Sequence, residues 1–263
     1  LADSMRGQTA KRARLAKVLD HRVERLATNR VANVKKERKL SVRLPDPPRA
    51  GAVVLEVDGM SKSFGRNTVF EDVSFTVGRG ERLLILGLNG AGKTTLLRLL
   101  VGQLAADTGE AHLGHGTSMG YYAQEHELLI PGRSMLDHMR ESAAALGLGD
   151  QQVRALLGMF GLSGEMAFQD VATLSGGEKT KLALAMLVAG RHNLLMLDEP
   201  TNNLDPPSRL AVGAALREWK GAMIFVSHDT EFVAELAPQR VLLMPDGTLD
   251  YWSDDLLDLV ALA

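Results

Sequence analysis

The sequence predicts an α/β protein built on a doubly wound, mostly parallel sheet. Short apolar runs between polar or glycine residues predict buried strands at Leu83–Leu86, Leu194–Leu197, Met223–Val226 and Val241–Met244. Predicted helices alternate with them, beginning with Lys93–Val101, which follows a glycine-rich loop. Strands that alternate with helices form parallel sheets, and ligands bind at the carboxyl ends of those strands.

Two further regions surround the glycine-rich loop. Before it, Val53–Val57 and Val73–Val77 predict strands, with turns expected at Gly59, Gly65–Asn67 and Gly78–Gly80. After it, residues 125–172 hold two predicted helices broken by glycines, and we assign them to a helical subdomain. The two helices are Met135–Leu146 and Val153–Phe160.

The amino-terminal part of the chain differs from the rest in charge. Residues 1–49 contain 14 Lys and Arg against 5 Asp and Glu, whereas residues 50–263 contain 16 against 27. Thr9–Leu26 carries one apolar stripe at helical spacing with basic residues on the other faces, which predicts a basic helix. Three prolines within residues 45–48 favour a domain boundary near residue 49. A basic arm on an acidic body predicts a negatively charged partner for the arm.

Composition excludes several classes of protein. The chain of 263 residues has no cysteine, so disulfide, iron–sulfur and thiolate-zinc chemistry are excluded. The longest apolar run, Leu182–Gly190, is about half the length that spans a bilayer. These features fit a cytoplasmic location. Because the sequence starts at Leu1 rather than Met, we expect it to be part of a longer protein.

The strongest motif is the glycine-rich loop Gly87-Leu-Asn-Gly-Ala-Gly92-Lys93-Thr94. It lies between a predicted strand and a predicted helix, which is the context of a P-loop. Its glycines let backbone N–H groups surround phosphate oxygens, and the helix amino terminus favours negative charge. Lys93 is expected to reach the β- and γ-phosphates, and the Thr94 hydroxyl to bind Mg²⁺.

Two weaker motifs follow along the chain. Asp198 and Glu199 end a buried strand, where one carboxylate suits Mg²⁺ and the other a general base for an attacking water. Leu-Ser-Gly-Gly-Glu at residues 174–178 starts a helix expected over Lys179–Val188, with Ser175 as its cap. From the residues alone, this second motif either binds an anion or merely caps the helix.

The three motifs in this order resemble the ATPase domain of the ABC superfamily over about residues 52–250. The resemblance implies the P-loop NTPase fold of the ABC type, with an antiparallel β subdomain and a helical subdomain, and ATP with Mg²⁺ as cofactors. It implies Gln124 as the Q-loop glutamine near Mg²⁺, His228 as the switch histidine and Phe64 as the aromatic that stacks on adenine. Catalytic roles fall to Glu199, His228, Gln124 and Lys93, and metal binding to Thr94, Gln124 and Asp198. The implied nucleotide contacts are Phe64, Gly87, Leu88, Asn89, Gly90, Ala91, Gly92, Lys93, Thr94, Thr95, Ser175, Gly176, Gly177, Glu178 and the D-loop Asp205.

The resemblance also implies a second ABC module as partner, either upstream in the full-length chain or in a homodimer. In the family, the P-loop of one module faces the Leu-Ser-Gly-Gly-Glu of the other. Ser175 and Gly177 should therefore contact the γ-phosphate of ATP on another module. A single module should hydrolyse ATP weakly, because it lacks half of each site.

Three details are similar to the ABC-F family of soluble translation factors. The signature continues as Glu178-Lys-Thr-Lys, where transporters usually have Gln at the Glu178 position. The segment Asp198-Glu-Pro-Thr-Asn-Asn-Leu-Asp205 is close to the ABC-F form, although Asn203 stands where that family usually has His. The basic segment 1–49 is similar to the end of the ABC-F interdomain linker, which implies ribosome and tRNA as partners in translation regulation or antibiotic resistance.

Other interpretations are open to a test from the sequence. An ATPase subunit of an ABC transporter normally starts near the equivalent of Val53, which leaves residues 1–49 unexplained. A DNA-repair or chromosome-type ABC ATPase inserts a long coiled coil between P-loop and signature, and the roughly 80 residues present here exclude it. A degenerate nucleotide-binding scaffold is disfavoured by the presence of Lys93, Glu199 and His228.

Overall fold

The computed structural model describes residues 44–122 and 129–261, and all elements below lie within them. The strands are β1 (Val53–Phe64), β2 (Asn67–Gly78), β3 (Arg82–Leu86), β4 (Thr108–Leu113), β5 (Met119–Tyr122), β6 (Leu194–Asp198), β7 (Ala222–Val226), β8 (Arg240–Leu243) and β9 (Thr248–Tyr251). The helices are α1 (Lys93–Leu100), α2 (Met135–Ser142), α3 (Asp150–Met159), α4 (Gly176–Ala189), α5 (Pro206–Glu218), α6 (Thr230–Leu236) and α7 (Leu257–Val260).

A six-stranded sheet in the order β5-β6-β7-β3-β8-β9 organises the domain. Its first five strands are parallel, and β9 pairs antiparallel with β8. Along β3, Leu84 and Leu86 face one hydrophobic core and Leu83 and Ile85 face another. A core on each face explains why the central strands are apolar at every position, and it confirms the predicted doubly wound sheet.

The two cores differ in what they pack against the sheet. One contains side chains of α1 and of a second, antiparallel sheet in the order β2-β1-β4. The other contains side chains of α2 to α6. The P-loop NTPase fold with an antiparallel β subdomain and a helical subdomain is therefore confirmed. The sheet edge where β3, β6 and β7 end lies between these two layers, and the predicted site residues follow those ends.

Some predicted boundaries were wrong for local reasons. Gly59 does not end a strand, because β1 continues through it as a bulge with a register shift between Val57 and Met60. Gly59 has φ 58°, and its N–H donates to Ser74 Oγ at 2.8 Å across the bulge. Helix α2 stops at Ser142, and the predicted continuation to residue 146 is a 3₁₀ turn.

The segment before the first strand packs on the domain. Leu44 is buried in the helical-side core, and the Asn193 amide donates to the carbonyl of Pro48 at 3.3 Å. The predicted basic helix Thr9–Leu26 and the predicted Gln124 lie outside the described residues. Within the part of the chain that the structure describes, every helix is too short or too polar to cross a membrane.

Candidate nucleotide-binding site

The glycine-rich loop connects β3 to α1 and is held by close backbone packing. A Cβ at Gly87 would lie 2.5 Å from the carbonyl oxygen of Met244, and one at Gly92 would lie 2.5 Å from Val69 Cγ1. Gly90 has φ 86°, and a Cβ there would meet no other atom within 4 Å. The loop is therefore packed at both ends and open at its tip, which is the shape that a phosphate group requires.

Lys93 is the first residue of α1 and lies inside this loop. Its ammonium donates to the carbonyl of Gly87 at 2.5 Å and to that of Leu88 at 3.3 Å. Burial lowers the pKa of Lys93, and the nearby carboxylates of Glu199 and Asp198 oppose that shift. The residue before the helix, at its cap position, is Gly92, which has no side chain to cap it. An ammonium and an uncapped helix terminus at one place favour an anionic ligand.

Asp198 ends β6 and is buried, with 5% of its surface exposed. Burial raises the pKa of this carboxyl, the charge of Glu199 raises it further, and a hydrogen bond with the Thr94 side chain opposes both. The Thr94 hydroxyl and the Asp198 carboxylate are thus in contact, although they lie about 100 positions apart in the sequence. Two oxygen atoms that can bind a metal are therefore in contact beside a loop that is open to a phosphate group. This arrangement suits one Mg²⁺ ion.

Glu199 follows Asp198 in a left-handed conformation, with φ 49°. Its N–H donates to the carbonyl of Val226 at 3.0 Å, which fixes the turn. The carboxylate Oε2 lies 2.9 Å from Nδ1 of His228, the second residue after β7. Such a backbone conformation costs about 1–3 kcal/mol for a residue other than glycine. The neighbouring strand therefore holds Glu199 in a conformation that directs its side chain to His228.

Phe64 is at the tip of the β1–β2 hairpin, with 53% of its surface exposed. The Lys62 ammonium lies 5.5 Å from the centre of its ring. Lys62 is itself held by hydrogen bonds to Asp107 Oδ1 and to the carbonyl of Ala105, both at 2.8 Å. A fixed cation therefore lies over an aromatic ring that is about half exposed.

One cavity of about 730 Å³ brings most of the predicted residues together. The predicted residues on its wall are Phe64, Asn89, Gly90, Ala91, Gly92, Lys93, Thr94, Thr95, Asp198, Glu199 and His228. Sequence reasoning missed four other wall residues, namely Val69, Asn202, Val226 and Ala261. The position of Asn202, three residues after Glu199 in a polar turn, could have suggested it, whereas the other three are apolar and give no such signal.

Other predicted residues lie elsewhere among the described part of the chain. Gly87 and Leu88 belong to the loop without lining the cavity, and Leu88 is exposed. Asp205 is exposed at the start of α5, where a hydrogen bond from Ser208 lowers the pKa of its carboxyl. The signature residues Ser175, Gly176, Gly177 and Glu178 do not line the cavity either.

The signature residues form the amino terminus of α4. Ser175 Oγ accepts from the Glu178 N–H at 3.3 Å, and Glu178 Oε2 accepts from the Ser175 N–H at 2.8 Å. The Ser175 hydroxyl also donates to Glu178 Oε2 at 2.7 Å, and this bond, together with the one from the Ser175 N–H, lowers the pKa of Glu178. A Cβ at Gly177 would lie 2.8 Å from the carbonyl oxygen of Asn203, so glycine is needed for packing. Ser175 and Gly176 are exposed, and this terminus is open to a partner.

Comparisons with known proteins all point to the same family. A family model described as ABC transporter matches residues 70–202, about half of the chain. The protein YheS of Haemophilus influenzae is 38% identical over 219 residues, covering 82% of this chain and 33% of YheS. ABC transporter F family member 5 of Arabidopsis thaliana is 33% identical, covering 91% of this chain and 35% of that protein.

A third relative is the energy-dependent translational throttle protein EttA of Haemophilus influenzae. It is 32% identical, with 82% of this chain and 39% of EttA covered. Among solved structures, an ATP-binding subunit of an ABC transporter aligns with a TM-score of 0.64 at 25% identity, covering 80% of this chain and 94% of that one. The chain thus spans about a third of the length of these curated relatives.

Proposed function

The chain belongs to the ABC family of ATPases, with relatives in its F branch, and on that premise we propose that it is the carboxy-terminal ATPase module of an ABC-F protein. In this proposal the module binds ATP with Mg²⁺ and hydrolyses it when a second ABC module completes the site. The division into a linker over residues 1–49 and a module over residues 50–263 is part of the same proposal.

One observation carries the proposal. The cavity gathers the aromatic ring, the P-loop, both acidic residues and His228, while the signature terminus of α4 is exposed at a separate place. A site that one chain completed alone would bring both sets together. Separate sets are what two modules need if each supplies a signature terminus to the ATP of the other.

The residues on the cavity wall fit ATP and Mg²⁺. The loop at Asn89–Thr95 would hold the triphosphate through backbone N–H groups, Lys93 would contact its β- and γ-phosphates, and Phe64 would stack on adenine. Thr94 and Asp198 would hold Mg²⁺, which neutralises charge on the phosphates when bound. The buried carboxyl of Asp198 supports this role, because a nearby cation would offset the cost of burying its charge.

Hydrolysis would proceed by in-line attack of water on the γ-phosphate, which breaks its bond to the bridging oxygen of the β-phosphate and releases ADP. Glu199 Oε2 would accept a proton from that water as general base, and His228 would orient the carboxylate and contact the γ-phosphate. Gln124, assigned by resemblance to the same step, lies outside the described residues. Ser175 and Gly177 would close the equivalent site of the other module by offering the amino terminus of α4 to its γ-phosphate.

We propose the ribosome and tRNA as the targets of the full-length protein, acting in the cytoplasm. The name of EttA, a translational throttle, supports this target, and so does the excess of basic residues in segment 1–49. Lys and Arg bind RNA phosphates without reading bases, so the affinity should fall steeply with salt. The alternative is an ATPase subunit of an ABC transporter, which the solved ATP-binding subunit favours and segment 1–49 does not.

The test uses the full-length protein carrying Glu199→Gln, which keeps the shape of the side chain and removes the base. We expect steady-state ATP hydrolysis to fall about 100-fold with ATP binding retained, because general-base catalysis contributes about that much. The variant should then sediment with ribosomes in ATP and not in ADP. Glu110→Gln, a change at an exposed position on β4, is the matched control and should behave as wild type.

Three outcomes would contradict parts of the proposal. An unchanged rate would remove Glu199 as the base. Recovery in a membrane fraction instead of the ribosome pellet would favour the transporter subunit. Equal sedimentation in ATP and ADP would separate ribosome binding from the ATPase cycle.

A further inference from the structure

The turn over residues 201–205 lies between the two functional faces. On one side, the Asn203 carbonyl contacts Gly177 at the start of α4 so closely that a Cβ would lie 2.8 Å from it. On the other side, Asn202 lines the ATP cavity, and its N–H donates to the carbonyl of Glu199 at 3.3 Å. A displacement of this turn would therefore affect both the signature terminus and the general base.

Arg209 on α5 connects this turn to a third segment. Its Nε donates to the carbonyl of Leu204 at 2.9 Å, and its Nη1 donates to Asp229 Oδ2, also at 2.9 Å. The guanidinium is a rigid, planar fork, so these two bonds fix the turn and the Asp229 carboxylate at a set separation. The ammonium of a lysine is a single point charge and would not reproduce that geometry.

Asp229 immediately follows His228, and its carboxylate has a different partner at each oxygen. Oδ1 accepts from the Phe232 N–H at 3.0 Å and caps α6, while Oδ2 accepts from Arg209. The Asp229 N–H also donates to Ser227 Oγ at 3.2 Å, on the other side of His228. The residues that flank His228 are thus fixed by the cap on one oxygen and by Arg209 on the other.

We propose that Arg209 is a positioning residue that couples the signature face to the catalytic pair Glu199–His228. Docking of a second module against Ser175–Glu178 sets the position of the turn over residues 201–205. Because Arg209 is bonded both to this turn and to Asp229, the position of the turn also sets the position of Asp229 and of its neighbour His228. The inference rests on the proposed function, since it needs a second module and hydrolysis. It predicts that this chain's own site hydrolyses ATP at full rate only when its signature face is engaged.

If Arg209 has only a structural role, a different result is expected, and a second arginine on α5 serves as the matched control. Arg217, two turns further along α5, also pairs with an acid on α6, because its Nη1 lies 3.3 Å from Glu235 Oε1. Both pairs join the same two helices, and neither arginine lines the cavity. If Arg209 only holds α5 to α6, the two arginines should give the same result when they are changed.

The experiment compares Arg209→Gln, Arg209→Lys and Arg217→Gln in the full-length, two-module protein. We expect Arg209→Gln to lower kcat about tenfold, because small misplacements of catalytic groups cost that much or more, while the Kd for ATP stays within about twofold. Arg209→Lys should lie between Arg209→Gln and wild type, and Arg217→Gln should match wild type in kcat. If Arg209→Gln does not fold, the result with Arg209→Lys decides.

The readouts separate this inference from the proposed function. A double variant with Asp229→Asn should lose no more activity than the worse single variant, because the two residues act through one contact. A normal kcat for Arg209→Gln, or an equal loss in Arg217→Gln, would overturn the inference. Glu199→Gln is measured in parallel. Failure of the proposed function would appear as a wild-type protein without hydrolysis, whereas failure of this inference alone would leave the wild type active and Glu199→Gln inactive.

Discussion

The helix amino termini at the P-loop and at the signature motif are both expected to bind the γ-phosphate of ATP, but only the signature terminus has a side-chain cap. The cap residue of α1 is Gly92, which has no side chain, and this terminus faces a cavity of about 730 Å³. Helix α4 is capped by Ser175, and the capping box with Glu178 satisfies the N–H groups of these two residues. The first terminus has no side-chain cap, whereas the second has one while it is exposed.

This difference bears on the proposal that each module supplies half of an ATP site. An uncapped helix terminus in contact with solvent leaves its first amides without a side-chain partner, so the capping box stabilises α4 before any second module docks. The P-loop terminus has Lys93 folded back onto the carbonyls of Gly87 and Leu88. At the signature terminus the Glu178 carboxylate accepts from a terminal N–H group, whereas at the P-loop the loop carbonyls accept from Lys93 and the helix has no side-chain cap. The following changes test that comparison.

The largest effect should come from Ser175→Asp. Aspartate caps helices as well as serine does, so the free energy of unfolding should change by less than about 1 kcal/mol. Its negative charge would repel the γ-phosphate of ATP on the second module, so hydrolysis by the full-length protein should fall about 100-fold. ATP binding at this chain's own P-loop should not change. Steady-state hydrolysis, thermal unfolding and nucleotide titration measure the three quantities.

Ser134→Asp is the matched control for that change. Ser134 caps α2 through the same kind of box, with Asp137 in place of Glu178, and it does not line the cavity. Both variants add one negative charge beside a capping carboxylate, so their effects on unfolding should agree. A similar loss of hydrolysis in both would show that the charge acts through stability, and would remove the signature role of Ser175.

A smaller effect is expected from Phe64→Ala. Stacking of a base on an aromatic ring contributes about 1–3 kcal/mol, so the Kd for ATP should rise about tenfold or more while bound ATP is hydrolysed at a similar rate. Phe168→Ala is the control, because Phe168 is 54% exposed and has Arg154 about 6.0 Å from its ring, much as Phe64 has Lys62. An unchanged Kd for Phe64→Ala would exclude the ring from the nucleotide site.

The smallest effect concerns pH and the capping box at α4. Hydrogen bonds from Ser175 lower the pKa of Glu178 in the folded protein, so this carboxylate stabilises the fold above its ordinary pKa of about 4.3. That contribution is lost as pH falls through the lowered value. Glu178→Gln has no such titration, so the difference in Tm between wild type and variant should shrink as the pH is lowered from 7 to well below about 4.3. A constant difference would show that the carboxylate charge does not contribute.

The sequence determined much of the fold because its signals were local. Lys93 after a run of glycines, and Asp198 and Glu199 after an apolar strand, reveal both their type of element and their chemistry through neighbours in the chain. Local signals failed at Gly59, where a bulge supported by Ser74 on the neighbouring strand replaces the predicted turn. They also failed at β5 and β9, because neither strand contains a continuous apolar run such as the one that predicted β8.

The sequence by itself therefore determined which residues could bind a triphosphate, while the tertiary structure decided which of them share a cavity. Two contacts depend on how β3, β6 and β7 align, namely that of Thr94 with Asp198 and that of Glu199 with His228. The bond from Arg209 to Asp229 depends equally on the packing of α5 against α6. The physical reason is that a hydrogen bond depends on distance in space, and residues far apart in the sequence are brought within that distance only by the fold.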